Sequence, residues 1–310
     1  MSAVAAAAVR GRPAGPRLLD LVIDDRADLR LIGLMRMLFG AIVIRHFWPT
    51  ITADRLPAER FITPWWDWLP VPGVGGYELV LWTGVVAGAL MSGGLASRLA
   101  TVAAFGSVRY LLVIDLGGFA HNRAYLTWML FGLALLPTGR SFALDAVVAR
   151  RRRRSPSTIG FTWPLVMLRV VASTVYLTSA TTKLLNPDWV GGLVLWDRTV
   201  RTQYLIPSAF DGWIHDVLVS RWFHRVLSPA ALATEFVIGI GLWFPRTRRF
   251  AIATAFAFHL SIEITASVQT FSYSGISALI IWLIPIGIDR DQPAGRSSAV
   301  GRASTGTPSP

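Results

Sequence analysis

Eight apolar runs, each roughly 17 to 21 residues long, settle the class of this chain before any motif is considered. A helix rises about 1.5 Å per residue, so a run of that length crosses the hydrocarbon core of a bilayer with every backbone N–H and C=O paired internally. The runs lie at about 30–48, 76–95, 98–116, 122–138, 163–183, 228–245, 249–267 and 272–289. They predict an all-α integral membrane protein, a bundle of about eight transmembrane helices. Hydrophobic residues make up 53% of the chain and charged residues 15%, a balance no ordinary soluble domain has.

The arginines orient the bundle. Arg10, Arg12, Arg17, Arg26 and Arg30 precede the first run, and Arg98, Arg140, Arg150 to Arg154, Arg246, Arg248 and Arg249 fill every second connection. Arg290, Arg296 and Arg302 follow the last run. Basic residues stay on the cytoplasmic side, so this alternation predicts a multi-pass protein of the cell membrane with both termini cytoplasmic. The same distribution argues that the net charge of +12 is a topology signal and that nucleic acid is not a partner. No cysteine is present, which excludes disulfides and thiolate chemistry. Three regions result: a basic tail over 1–29, the membrane domain over 30–289, and a Pro-, Ser- and Gly-rich tail over 290–310; both tails are expected to be disordered.

Two connections on the outer side are long. Residues 49–75 carry Trp65, Trp66 and Trp68, suited to an interfacial belt or to a lid over a cavity. In the connection between spans five and six, "DGWIHDVLVSRWFHRVL" sets Ile214, Val217, Leu218, Trp222 and Val226 against His215, Asp216, Arg221 and Arg225 at helical spacing. That pattern predicts one amphipathic helix lying on the outer interface.

Against this background the polar residues inside the spans stand out, because intramembrane charge is expensive and marks a site by default. Lys183 ends span five at the outer face, and His121, Asn122 and Arg123 open span four at the same face. Glu235 lies seven residues into span six, while His259 and Glu263, four apart in span seven, share a helix face. Arg36, Arg109 and Arg169 are read as pairing with Glu78, Asp115 or backbone carbonyls. Lys183 is the only lysine among 30 basic residues, the rest being arginine. An arginine would snorkel to the interface equally well, but only an amine readily gives up its proton, so the one lysine points to acid–base chemistry.

The segment "WPLVMLRVVASTVYLTSATTKLLNPDWVGG" (163–192) resembles the signature of the vitamin K-dependent gamma-carboxylase family and its bacterial relatives, the HTTM-domain membrane proteins. An arginine (Arg169), a tyrosine (Tyr176), Lys-Leu, and then Trp189 before the glycines carry the likeness. "HNRAYL" (121–126), Glu235 and "FHLSIEITASVQTFSYSGI" (258–276) extend it over roughly residues 30–289.

The resemblance implies that Lys183 deprotonates a vitamin K or menaquinone-type hydroquinone at the outer face. Oxygen then yields an epoxide through a strong base that removes a glutamate γ-proton, and carbon dioxide adds to the carbanion. It implies catalytic roles for Lys183, His259, Glu263, His121 and Asn122, and cofactor contacts for Glu235, Arg123, Arg169, Tyr176 and Trp189. Membrane lipid, an isoprenoid quinone and a peptide or protein substrate brought by a partner are the expected partners. Two departures follow from the same comparison. The family's histidine comes after the asparagine, whereas here Arg123 does and His121 precedes it. The chain also ends about twenty residues after the last run, where animal carboxylases continue into a substrate-binding region. A non-catalytic protein binding lipid, quinone or peptide, or serving immunity or transport, is the alternative. An iron oxygenase built on His121, His259, Glu263 and Glu235 is a third reading without a clustered ligand motif.

Overall fold

The computed structural model describes residues 26–52, 64–154, 157–265 and 270–286, so both tails and part of the Trp-bearing outer connection lie outside the described residues. It is all-α apart from one short ribbon. The helices at the apolar runs are α1 (Arg30–Thr52), α2 (Val74–Gly93), α3 (Ser97–Ile114), α4 (His121–Leu135), α6 (Trp163–Leu184), α10 (Arg221–Gly241), α11 (Arg248–Thr265) and α12 (Phe271–Ala278). The last continues as a 3-10 turn over Leu279–Leu283. Shorter helices are α5 (Leu144–Arg151), α7 (Pro187–Val190), α8 (Leu193–Arg201) and α9 (Trp213–Val219). A helix therefore stands at each of the eight apolar runs. Four of them, α1, α2, α3 and α6, are long and apolar enough to cross a bilayer by length and composition, which makes the chain a multi-pass membrane protein.

Consecutive helices pack side by side: α1 on α2, α2 on α3, α3 on α4, α4 on α6, α6 on α10, α10 on α11 and α11 on α12. The ring closes where α12 and its 3-10 turn pack on α1, and α12 also meets α4. The core between them is apolar, with Met35, Phe39, Leu126, Met129, Leu168 and Ile281 fully buried. Close approach needs small residues where no hydrophobic gradient drives helices together in lipid. Gly84 faces the Phe47 ring, and Gly88 and Gly40 face each other, so α1 and α2 meet backbone to backbone.

The helix ends fall into two groups. At one end β1 (Arg26–Asp28) pairs antiparallel with β2 (Ile159–Phe161), tying the chain before α1 to the chain before α6. Arg36, fully buried, donates to the carbonyls of Met91 and of Phe142, the latter at 2.5 Å, which locks the starts of α1 and α5 to the end of α2. Asp145 caps the N-terminus of α3 through the amides of Ala96 (2.9 Å) and Ser97 (2.8 Å), in place of the missing side-chain N-cap. The described arginines of the basic connections gather here.

The opposite end is built from the long connections. Trp65 donates its amide to Val113 O and packs edge-on against Phe119, while Trp66 and Trp68 stack on each other. The predicted single amphipathic helix is a correction: α9 stops at Val219, Ser220 is extended (φ −76°, ψ 141°), and the Arg221–Leu227 half belongs to α10. Helical periodicity continues across the break, so the pattern alone could not place it. His224, 1% exposed, is why α10 starts early: its ring reaches Ser220 O at 2.8 Å and Thr199 Oγ1 at 3.1 Å, pinning α10 to α8. Glu235 thus lies two turns deeper along its helix than a start at 228 implies.

Candidate functional site

Lys183 sits in the last turn of α6, and its Nζ lies 2.6 Å from Glu235 Oε1 on α10. Glu235 is 3% exposed and the lysine side chain 23%, so the pair closes the end of the α6–α10 interface away from the ribbon. Ser179, one turn before Lys183 on the same face, donates to the same oxygen at 3.1 Å. Glu235 Oε2 is buried with no partner among the described residues. The Trp189 ring covers the ammonium at 4.8 Å, a cation–π contact. Asn186 fixes that ring by capping α7 through the amides of Asp188 and Trp189, and Ser228 of α10 donates to Trp189 O.

Deeper between the same helices, Tyr176 shares a 2.6 Å hydrogen bond with His259 Nε2 of α11. Tyr176 also lies within electrostatic range of Glu235 and of Tyr125 on α4. His259 is fully buried, flanked edge-on by Phe258 and Phe271, with Nδ1 unpaired. Gly275 of α12 is what admits the ring, since a Cβ there would overlap His259 Nε2. Glu263, one turn on from His259, does not bond it. Tyr273 donates to Glu263 Oε1 at 3.1 Å, and the Arg45 guanidinium of α1 lies over the Tyr273 ring at 4.6 Å.

The other candidates are placed differently. His121 packs edge-on against Phe119 at the start of α4, and Asn122 Oδ1 accepts the Arg123 amide at 3.0 Å. Arg123 donates to Gly118 O at 2.9 Å and keeps a buried, unpaired Nε. Its charge reaches His46 of α1 electrostatically. Among the described residues no hydrogen bond or ion pair joins this turn to Lys183. Arg169 is at the far end of α6, 4% exposed, with its guanidinium on the carbonyls of Ile281 (2.8 Å) and Ile284 (2.5 Å) and over Trp282. Those carbonyls are free because the helix tightens into a 3-10 turn, so the arginine completes the backbone, as the reading of intramembrane arginines on carbonyls requires. Arg36 does the same, whereas Arg109 is exposed and pairs with neither Glu78 nor Asp115.

Ser179, Tyr273 and Arg45 escaped sequence reasoning. Ser179 had a usable signal, lying four residues before Lys183; the Arg45–Tyr273 contact joins α1 to α12 and had none. Among the described residues no three His, Asp or Glu side chains are grouped as a metal ion needs, so the proposed iron ligands do not assemble.

No curated protein and no solved structure matches the chain. A family model for the HTTM domain does match, over residues 25–285, which takes in the twelve helices and the ribbon found among the described residues. The chain therefore belongs to the HTTM-domain family, whose domain is shared with vitamin K-dependent gamma-carboxylase.

Proposed function

We propose that this HTTM protein is a carboxylase-like membrane enzyme in which Lys183 is the base toward a reduced quinone at the outer face. The observation that carries it is the 2.6 Å contact between the solitary lysine and a buried glutamate. Transfer of the ammonium proton to Glu235 along this contact leaves an uncharged amine without stranding a charge. Lys183 then takes a hydroxyl proton from the quinol, and Ser179 holds the carboxyl oxygen in line. Trp189 covers one face of the amine and lowers its contact with water, which favours proton abstraction.

The residues present fit a quinol head. Glu235 Oε2, His259 Nδ1 and Glu263 Oε2 are buried polar atoms without partners on helices that meet at this end, and a ring bearing two oxygens satisfies such groups. A reduced quinone would supply an acidic hydroxyl and, with dioxygen, the oxidative driving force for removing a substrate proton so that carbon dioxide can add. Tyr176 and His259 would orient the ring, and the peptide or protein substrate would arrive with a partner. The reading also carries the full topology: eight crossings, both termini on the arginine-rich side. Arg123 favours the second reading, a quinone- or lipid-binding protein without turnover, because a guanidinium held on Gly118 O cannot relay protons.

The test is quinol-dependent oxygen uptake by the full chain in nanodiscs supplied with menaquinol and bicarbonate. Lys183→Arg should insert and fold normally yet lower the rate by at least about 100-fold, the usual scale for losing a general base. Full turnover in Lys183→Arg rejects the base. Menaquinol binding without uptake in the wild type selects the binding protein.

A further inference from the structure

We infer that a second site, at the arginine-rich end, binds a phosphate-bearing anion whose source in the membrane is the headgroup of an anionic phospholipid. A cavity of about 460 Å³ lies where the β1–β2 ribbon, the start of α3 and the α4–α5 connection meet, at the opposite end of the bundle from Lys183. Its rim carries Arg26, Arg98 and Arg140 against one acidic residue, Asp145. Both carboxylate oxygens of Asp145 face the α3 amides, and among the described residues no ion pair joins it to Arg98 or Arg140. Arg140 spends Nη1 on the carbonyls of Ser157 (2.9 Å) and Ile159 (3.1 Å), which fixes the guanidinium at the rim with its other N–H groups uncommitted. Arg26 is steadied over the Phe161 ring at 4.5 Å. Arg98 is exposed, without a partner among the described residues.

An independent observation points to a ligand. Ser97 and Thr138 line the same cavity, each 1% exposed, and among the described residues the hydroxyl oxygens Ser97 Oγ and Thr138 Oγ1 have no hydrogen-bond partner. Leaving a buried hydroxyl unpaired is destabilising, so two in the lining of one cavity call for an acceptor. Phosphate offers several acceptor oxygens to hydroxyls and guanidinium groups together. A bare phosphate does not account for the rest of the cavity. Leu136 and Pro164 give it an apolar wall, and Phe161 and Trp163 stand part-exposed beside it, as aromatic residues do at a membrane interface. Basic pockets between helices on the cytoplasmic side are where anionic headgroups are held.

The full-length protein in detergent is titrated by native mass spectrometry with phosphatidylglycerol, with phosphatidylcholine, and with inorganic phosphate alone or as competitor. Phosphatidylglycerol should be retained at least about fivefold more tightly than phosphatidylcholine. Arg98→Gln, whose side chain supports nothing in the fold, should weaken that retention about fivefold, the effect of one basic residue at an anionic surface. Thr138→Val, close in shape, should weaken it as well, and Arg152→Gln, on the same end but outside the cavity, should not. Competition by millimolar phosphate with weak lipid retention assigns the site to a soluble phosphate and overturns the lipid source. Equal retention of both lipids with no effect of phosphate, or Arg98→Gln and Thr138→Val behaving like Arg152→Gln, overturns the site itself.

Discussion

At the level of single residues the question is whether Lys183 and Glu235 stabilise the bundle or serve a reaction. The two roles separate because they respond differently to removal of both groups. Lys183→Met leaves the buried Glu235 carboxylate with only Ser179 as a partner, and breaking such a pair from one side is costly. We expect a loss of about 2 kcal/mol, below the value for a fully enclosed pair because the lysine retains some water contact. Adding Glu235→Leu removes the stranded charge and should recover most of that stability. Activity should stay lost in both variants. Thermal unfolding in detergent alongside the quinol assay reads the two effects independently; a double variant that recovers stability and turnover together would make the pair purely structural. The sequence exposed Lys183 through its solitude and Glu235 through its depth in an apolar run, but the contact between them was not legible. Nothing local records that residues 52 apart meet.

At the level of elements, hydropathy marked where a helix stands at each of the eight apolar runs, four of them long and apolar enough to cross a bilayer, because bilayer length is written directly into such runs. What escaped was the transition between elements. The α9–α10 break at Ser220 is invisible to a periodicity that runs through it, and the pinning of His224 by Thr199 depends on a long-range contact. The 3-10 turn after α12 was equally hidden, and with it the reason Arg169 is buried where it is. This gives a prediction of its own. Arg169→Met keeps the bulk of the side chain but leaves the Ile281 and Ile284 carbonyls unpaired, and should lower stability by about 2–3 kcal/mol without altering quinol affinity. Loss of quinol binding at unchanged stability would instead restore Arg169 to the cofactor contacts that the family resemblance implies. Gly275 belongs to the same scale. Gly275→Ala places a methyl group where His259 Nε2 now sits, so α12 and α11 must separate or the Tyr176–His259 bond must break. Activity should fall about tenfold or more, since misplacing an orienting group by about 1 Å is enough to do so. Tyr176→Phe should mimic that loss without the packing defect.

For the whole molecule, the membrane topology decides whether the two proposed sites can coexist on opposite surfaces. The antiparallel β1–β2 ribbon constrains this strongly, because it places the entry to α1 beside the entry to α6, with α1 to α5 between them. An even number of traverses would return the chain to the side it left, which is the alternation the arginines predict. Arg169 of α6 on the carbonyls after α12, within electrostatic range of Arg248 at the start of α11, brings two further helix ends to that surface. The Trp65–Phe119 and Trp196–Val219 contacts gather the remaining ends at the other. Reporters that distinguish the two sides, fused after Arg153 and after Pro187, should therefore read opposite compartments, with Arg153 cytoplasmic. The fusion points flank a single helix, α6, so the result does not depend on how the shorter helices α4, α10, α11 and α12 sit in the bilayer. Same-side readings would mean that α6 does not cross, and Lys183 would then face the compartment of the phosphate site. In that case a quinol base at the outer face and a lipid site at the inner one could not both stand.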